Sequence, residues 1–271
     1  MGAATAVALA EAGYDVAIAA RTLSTSARPA EEYATSWPRS LGSTLELVAS
    51  RVEAAGGTAL PVVMDLTDRA SVAAAADAVL DHFGRCDVLC NIGVYQGRGS
   101  AELFLDTPLD AFAKHLEADV MAPAVLCQRL LPGMVDRGAG TIVNMSSYVV
   151  ASDPPGTVHE NGWTLAYAAA KAGIDRFASV LNVELRDAGV NVYTVEPGFV
   201  AYGEALTQAL AKFPDSPVTP PEAIGAAIAW LVRSPDATRL LSKRIHLPAL
   251  AQRHGLVPGW QGPGTPFSSV W

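Results

Sequence analysis

The feature that most constrains this chain is a regular alternation of short apolar runs with longer helical stretches. The runs are YDVAIAA (14 to 20), ALPVVMD (59 to 65), CDVLCNIG (86 to 93), GTIVNMSS (140 to 147) and GVNVYTVEPG (189 to 198). Helix formers with helical spacing fill 2 to 12, 43 to 55, 69 to 83, 108 to 134 and 164 to 187. Near-continuous apolar strands separated by helices predict an α/β fold: a doubly wound parallel sheet with helices on both faces and right-handed crossovers. Such sheets bind ligands outside the carboxyl ends of their strands. The five runs end at Arg21, Asp65, Asn91, Ser147 and Pro197-Gly198, so these turns are expected to ring one crevice.

With 271 residues, half of them apolar and 17% charged, the chain can bury a large core. It shows no internal repeat and no long charged linker, which predicts one domain over 1 to 271. The Pro/Ser-rich stretch 22 to 42 reads as a surface excursion, and 148 to 163 as irregular. The tail from 247 to 271 has four Pro and four Gly and is expected to be irregular too. A net charge of -8 argues against a nucleic-acid groove or an anionic membrane surface. The expected partner is a small molecule. Cys86, Cys90 and Cys127 show no metal-binding spacing, and no metal site is expected; the cysteine count fits a reducing cytoplasm. The opening MGAATAVALAEAG lacks the basic start of a signal peptide, and no uncharged apolar run reaches the ~18 residues of a membrane helix.

Tyr167 and Lys171 form a Y-x-x-x-K pair in an Ala-rich helical segment, which places both on one helix face. An ammonium beside a phenol favours the phenolate and pulls a Tyr pKa down from about 10 toward the range of a general acid/base. Alone, the pattern is also that of an ordinary surface pair. Twenty residues earlier Ser147 ends a strand where the crevice should lie, and its hydroxyl can donate to a carbonyl oxygen. A turn or N-cap serine would look the same. Taken with the CNIG turn (90 to 93) and the EPGFV segment (196 to 200), these residues resemble the short-chain dehydrogenase/reductase family in its single-domain form.

The resemblance runs from Gly2 to about Trp260 and implies a Rossmann-like, three-layer α/β/α fold with NAD(P)-dependent hydride transfer between nicotinamide and a carbonyl or secondary alcohol. It implies that Tyr167 exchanges the proton, Lys171 tunes it and holds the nicotinamide ribose, and Ser147 orients the carbonyl. Asp65 in MDLTD matches an adenine-contacting acid, or caps the next helix. Asn91 and Gly93 match the turn lining the adenosine, and Pro197, Gly198 and Val200 the segment that binds the carboxamide. Several positions depart from the family pattern. Cys90 and Ile92 replace Asn and Ala in the four-residue turn, and Tyr202 stands where many members have Thr. Asp119 occupies the place of the Asn that completes the proton relay; ionised, it would support the Lys171 ammonium and oppose a Tyr167 phenolate.

In the family a strand and a T-G-x-x-x-G-x-G turn precede the first helix and bring backbone N-H groups to the pyrophosphate. Gly2, eleven residues before Gly13, matches the last glycine of that turn. The first strand is therefore expected to be missing, through a misplaced start codon rather than a true truncation. The strand 14 to 20 ends in Ala20-Arg21, where NAD-specific folds place an acid for the ribose 2'-hydroxyl. An apolar residue followed by Arg favours NADP, with NAD as the alternative. The helical segments 108 to 134 and 164 to 187 exceed what one sheet face needs, and the resemblance implies a homodimer or homotetramer built on them. A catalytically impaired binding or scaffold protein on the same fold is the competing reading. Tyr95, Trp163, Phe199, Tyr202 and Trp260 are candidates for an aromatic cleft or for simple packing.

Overall fold

A computed structural model describes residues 1-24, 44-201, 207 and 218-262. The stretch 25 to 43 and Tyr202 lie outside the described residues. The chain begins with α1 (Gly2–Glu11), β1 (Val16–Ala20), α2 (Leu45–Ala54), β2 (Ala59–Val63), α3 (Arg69–Phe83) and β3 (Val88–Asn91). Next come α4 (Leu109–Leu116), a π-helical turn (Glu117–Met121), α5 (Ala122–Arg137), β4 (Gly140–Met145) and α6 (Leu165–Glu184). β5 (Val190–Glu196), β6 (Phe199–Val200), β7 (Val218–Thr219), α7 (Pro221–Arg233), β8 (Arg244–His246) and α8 (Leu247–Arg253) complete it. All described strand pairings are parallel.

Local chemistry sets the helix ends. Thr44 caps α2 by accepting from the Leu47 N-H at 3.3 Å, and Asp68 caps α3 by accepting from the Ala70 N-H at 2.9 Å. Asp65, for which helix capping was one of two expectations, therefore does not cap α3. Its Oδ1 instead accepts from the Thr67 N-H and hydroxyl, both at 2.8 Å, and closes the turn after β2. Gly84 and Gly138 end α3 and α5 in the left-handed region.

The sheet lies between two helical layers. On one face α3, α5 and α6 pack Val72, Leu126, Met134 and Ala178 against Ile142 and Val192. On the other, α1 and α2 cover β1, while α7 and α8 bury Ile224, Ile228 and Leu247 against Val143, Tyr193 and Val195. Gly225 of α7 lies so near α1 that a Cβ there would stand 2.5 Å from the Ala4 carbonyl oxygen, so the two backbones meet directly. The three-layer α/β/α expectation holds. β4 is the most deeply buried strand, with Ile142, Val143 and Asn144 fully enclosed, which is why its sequence reads as a continuous apolar run.

One feature differs from the sequence reading. The stretch from 247 is not irregular at its start: Leu247–Arg253 is α8, its Nδ1 cap supplied by His246 and its apolar side buried in the α7 layer. The prolines that argued against a helix include Pro248, which sits in the first turn, where no N-H is needed. The described strands form separate ladders, β1-β2 and β3-β4-β5-β8, with β6-β7 as a small third pair, as a sheet lacking an interior strand would. Between β1 and β3 lies a cavity of about 870 Å³ lined by Ile18, Ala19, Leu89 and Cys90 among others. Among the described residues no helix is long and apolar enough to cross a membrane.

Candidate active site

The carboxyl end of β4 and the start of α6 build the site. Thr164 caps α6 and accepts from the Tyr167 N-H at 3.3 Å, so the cap that starts the helix also fixes the residue of interest. One turn on, the buried Lys171 donates to the Met145 carbonyl at 3.1 Å. A further turn on, Asp175 accepts from the Ser146 hydroxyl and from Arg244 Nε, both at 2.8 Å. α6 is thus tied to the end of β4 just before Ser147, through residues 145 and 146. This arrangement sets Ser147 beside Tyr167, close enough for its hydroxyl to favour the phenolate.

Asp119 reaches the same cluster from the π-helical turn. The wider i to i+5 geometry of such a turn is common at functional sites. Its Oδ1 accepts from the Tyr95 N-H at 3.0 Å, and its Oδ2 lies 3.3 Å from Lys171 Nζ. Asp119 is 2% exposed and Lys171 4%, so both ions are shielded from water and each depends on the other. α6 approaches the turn closely at Gly173, where a Cβ would stand 2.7 Å from Val120 Cγ2. Sequence reasoning placed Ser147, Tyr167, Lys171 and Asp119 apart along the chain; the fold brings all four together.

The electrostatics differ from the sequence expectation for Tyr167. Its pKa is raised, first by burial and further by the Asp119 and Glu196 carboxylates, while the hydrogen bond with Ser147 pulls the other way. Lys171 Nζ sits 6.0 Å from the Tyr167 ring centroid and is engaged by Asp119. The expected lowering by Lys171 therefore does not govern the free protein. Burial likewise raises the Asp119 pKa, opposed by Lys171 and by the Tyr95 N-H. One turn before Asp119, the fully buried His115 holds its Nε2 3.2 Å from the Arg98 carbonyl and packs edge-on against Tyr95.

The positions matched to a cofactor occupy the neighbouring strand ends. Gly2, Arg21, Asn91 and Gly93 line the 870 Å³ cavity, together with Met64 and Leu66 on either side of Asp65. Asn91 does not extend its amide into open space: its Nδ2 donates to Asn144 Oδ1 at 2.8 Å across the β3-β4 register. Gly198 has a φ of 64°, and its N-H donates to Glu196 Oε2 at 3.0 Å. Val200, in β6, pairs with Thr219 of β7. Of the aromatic candidates, Trp163 stacks edge-on with Tyr148 at 5.4 Å, Tyr95 packs on His115, and Trp260 joins the α7 layer. His159 and Glu160 form a short 3₁₀ turn in which Glu160 completes a capping box with Thr157.

Sequence reasoning missed Tyr148, Asp175, Arg244, Glu196 and His246. Asp175 was within reach of the pattern, since it follows Lys171 by one helical turn. Tyr148 directly follows Ser147 in a short 3₁₀ turn, and Glu196, Arg244 and His246 come together through the pairing of β5 with β8.

The short chain dehydrogenase family model matches residues 39–212, more than half of the chain. The chain belongs to that family. A short chain dehydrogenase of Pseudocercospora fijiensis is 31% identical over 160 residues, which cover 58% of this chain and 48% of that protein. The chain thus spans about half the length of that curated relative. Among solved structures, a short-chain type dehydrogenase/reductase from Mycobacterium marinum superposes with a TM-score of 0.72 at 25% identity, covering 90% of this chain and 88% of that one. A metagenomic short-chain oxidoreductase in complex with NADP gives 0.66 at 25% identity over 90% of each chain.

Proposed function

We propose that the protein is an NADP-preferring oxidoreductase that moves a hydride between nicotinamide and a carbonyl or secondary alcohol carbon of a small molecule. The observation that carries this reading is the buried cluster of Ser147, Tyr167, Lys171 and Asp119 at the carboxyl end of β4. The lining of the adjoining cavity suits a dinucleotide: Gly2 and Gly93 present no side chain, and Arg21 stands where a 2'-phosphate would need a cation. Asp65, Asn91, Pro197, Gly198 and Val200 would hold the rest of the cofactor. The NADP complex of the metagenomic relative supports the same choice.

The chemistry that a reduced nicotinamide would supply there, once bound, is a hydride for the substrate carbon. Ser147 donates to the substrate oxygen and stabilises the charge that develops there. Tyr167 gives its phenolic proton to that oxygen, so the alcohol leaves neutral and the phenolate remains. The raised pKa of Tyr167 keeps it protonated through the neutral range, as a proton donor must be. Lys171 lies behind the ring, and its ammonium offsets the phenolate once formed. Asp119 holds that ammonium in place at 3.3 Å.

A second reading, a binding protein with impaired catalysis, draws support from the same raised Tyr167 and from Lys171 being engaged by Asp119. We take the chain as one domain, cytoplasmic, and assembled as a homo-oligomer. The test is Tyr167→Phe, assayed on a ketone panel with NADPH. Turnover should fall by ~100-fold or more with cofactor affinity unchanged within a few-fold. Retention of more than about a tenth of the rate would remove Tyr167 as the acid, and cofactor binding without turnover in the wild type would favour the second reading.

A further inference from the structure

Glu196 ends β5 directly opposite His246, the last residue of β8. Both are nearly enclosed, with side-chain exposures of 5% and 11%. The hydrogen bonding around them defines a protonation state. His246 Nδ1 accepts from the Ala249 N-H at 3.2 Å, at the start of α8. An imidazole nitrogen that accepts carries no hydrogen, so the ring's hydrogen is on Nε2. Nε2 lies 3.2 Å from Glu196 Oε1, so the N-H it carries meets that carboxylate. The other carboxylate oxygen, Oε2, accepts from the Gly198 N-H at 3.0 Å. Two hydrogen bonds, joined by the His246-Glu196 contact, therefore run from the α8 N-terminus to the backbone of the Pro197-Gly198 turn.

Steric contact seals the bridge. A Cβ on Gly198 would stand 3.2 Å from His246 Nε2 and 3.1 Å from Pro248 Cγ, and the φ of 64° favours glycine in any case.

We propose that His246 and Glu196 are positioning residues that fix the Pro197-Gly198 turn, through the Gly198 N-H, for the cofactor's nicotinamide end, and that they do so only with a neutral His246 and an ionised Glu196. The cofactor half of this statement rests on the functional reading above; the bridge itself does not. Each atom of the bridge is satisfied in one arrangement alone. Protonating His246 would place an N-H at Nδ1 against the Ala249 N-H, and protonating Glu196 would force one of its two incoming donors away.

Burial raises the Glu196 pKa; the Gly198 N-H and Arg244 of β8, itself paired with Asp175 of α6, act the other way and favour the carboxylate. Tyr148 and Tyr167 face Glu196 as neutral phenols, each with a raised pKa. The partial positive charge of the α8 N-terminus disfavours a His246 cation, and burial lowers its pKa as well. Cofactor affinity should therefore be greatest above the raised Glu196 pKa and fall in acid, as pH drops through it and through the lowered imidazole pKa.

The discriminating variant is Glu196→Gln. It preserves shape, yet a carboxamide offers one acceptor and one donor where the bridge needs two acceptors. A role in packing alone would leave it silent. In the full chain, the Gly198 and Ala249 amides should exchange with solvent about tenfold faster in Glu196→Gln and in His246→Ala than in the wild type. Nitrogen NMR of wild-type His246 should show the Nε2-H tautomer at neutral pH. NADPH and NADH should lose affinity alike, by about tenfold, in both variants. Unchanged exchange at Gly198 in Glu196→Gln, or a wild-type His246 that carries hydrogen on Nδ1 at neutral pH, overturns the bridge. Altered exchange with unchanged affinity for both nucleotides overturns its positioning role. Wild-type protein that binds neither nucleotide defeats the functional reading and leaves the exchange and tautomer tests to decide the bridge.

Discussion

Tyr167 is held between opposing influences, and one neighbour can be removed cleanly. The Asp119 carboxylate raises its pKa and also engages the Lys171 ammonium. In Asp119→Asn the repulsion is gone and Lys171 loses its counterion, so both changes lower the Tyr167 pKa. The alkaline limb of the rate profile should move to lower pH, and a pH-rate series on the variant reads this directly; a shift to higher pH contradicts the assigned coupling. Arg21 offers a second test. If it grips the 2'-phosphate, Arg21→Ala should weaken NADPH binding by about 1.5 to 3 kcal/mol and leave NADH unchanged, as titration of both cofactors would show. Equal losses would count against NADP preference. Tyr167 and Lys171 were legible in the sequence because a four-residue spacing on a helix fixes their proximity. The opposing effect of Asp119 on Tyr167 was legible as well, but the burial and the Glu196 carboxylate of β5 that also raise the Tyr167 pKa were not. Glu196 and His246 meet only through strand register, and no local pattern announces it.

At the scale of elements, the site depends on how the π-helical turn seats against α6. The approach of Gly173 to Val120 leaves no room for a side chain there. Gly173→Val should cost about 1 to 3 kcal/mol in denaturant unfolding, the usual range for overpacking. It should also lower turnover, because the displaced turn carries Asp119 away from Lys171. Stability loss with unchanged turnover would separate the contact from the chemistry. The segment 108 to 134 reads as one helix, and its limits are close to those of α4 through α5. The π-helical turn within it is invisible to periodicity, because one extra residue per turn hardly alters the apolar spacing over so short a span. α3 was legible to the residue because Asp68 and Gly84 mark both ends. α8 was hidden by a composition rich in Pro and Gly that belongs mostly to the residues after it.

Across the whole molecule, the outer faces of α5 and α6 stand out. A groove of about 480 Å³ between them is lined by Leu131, Val135, Phe177 and Leu181. Val135, Val180 and Val183 are 41%, 47% and 60% exposed nearby. A two-fold pairing would bury these side chains. Light scattering at micromolar concentration should give a dimer or tetramer mass, and Val183→Glu should reduce it; a monomeric wild type would contradict the homo-oligomer. The layered fold was legible because fully buried parallel strands have to be apolar, and a division of the sheet was expected because a strand should precede the turn that Gly2 matches, although composition does not say which strands pair on either side of it. That division has a colloidal consequence. The Val16 N-H bonds toward β2 and the Asp87 carbonyl toward β4, so parallel alternation turns the backbone groups of Ala17, Ala19, Val88 and Cys90 toward the cavity. Two rails of donors and acceptors, running the same way, face each other across a largely apolar gap. Such rails do not discriminate by side chain, so any extended stretch exposed by a partly unfolded neighbour can be gripped, and crowded or heated solutions would gel or precipitate before most molecules had unfolded.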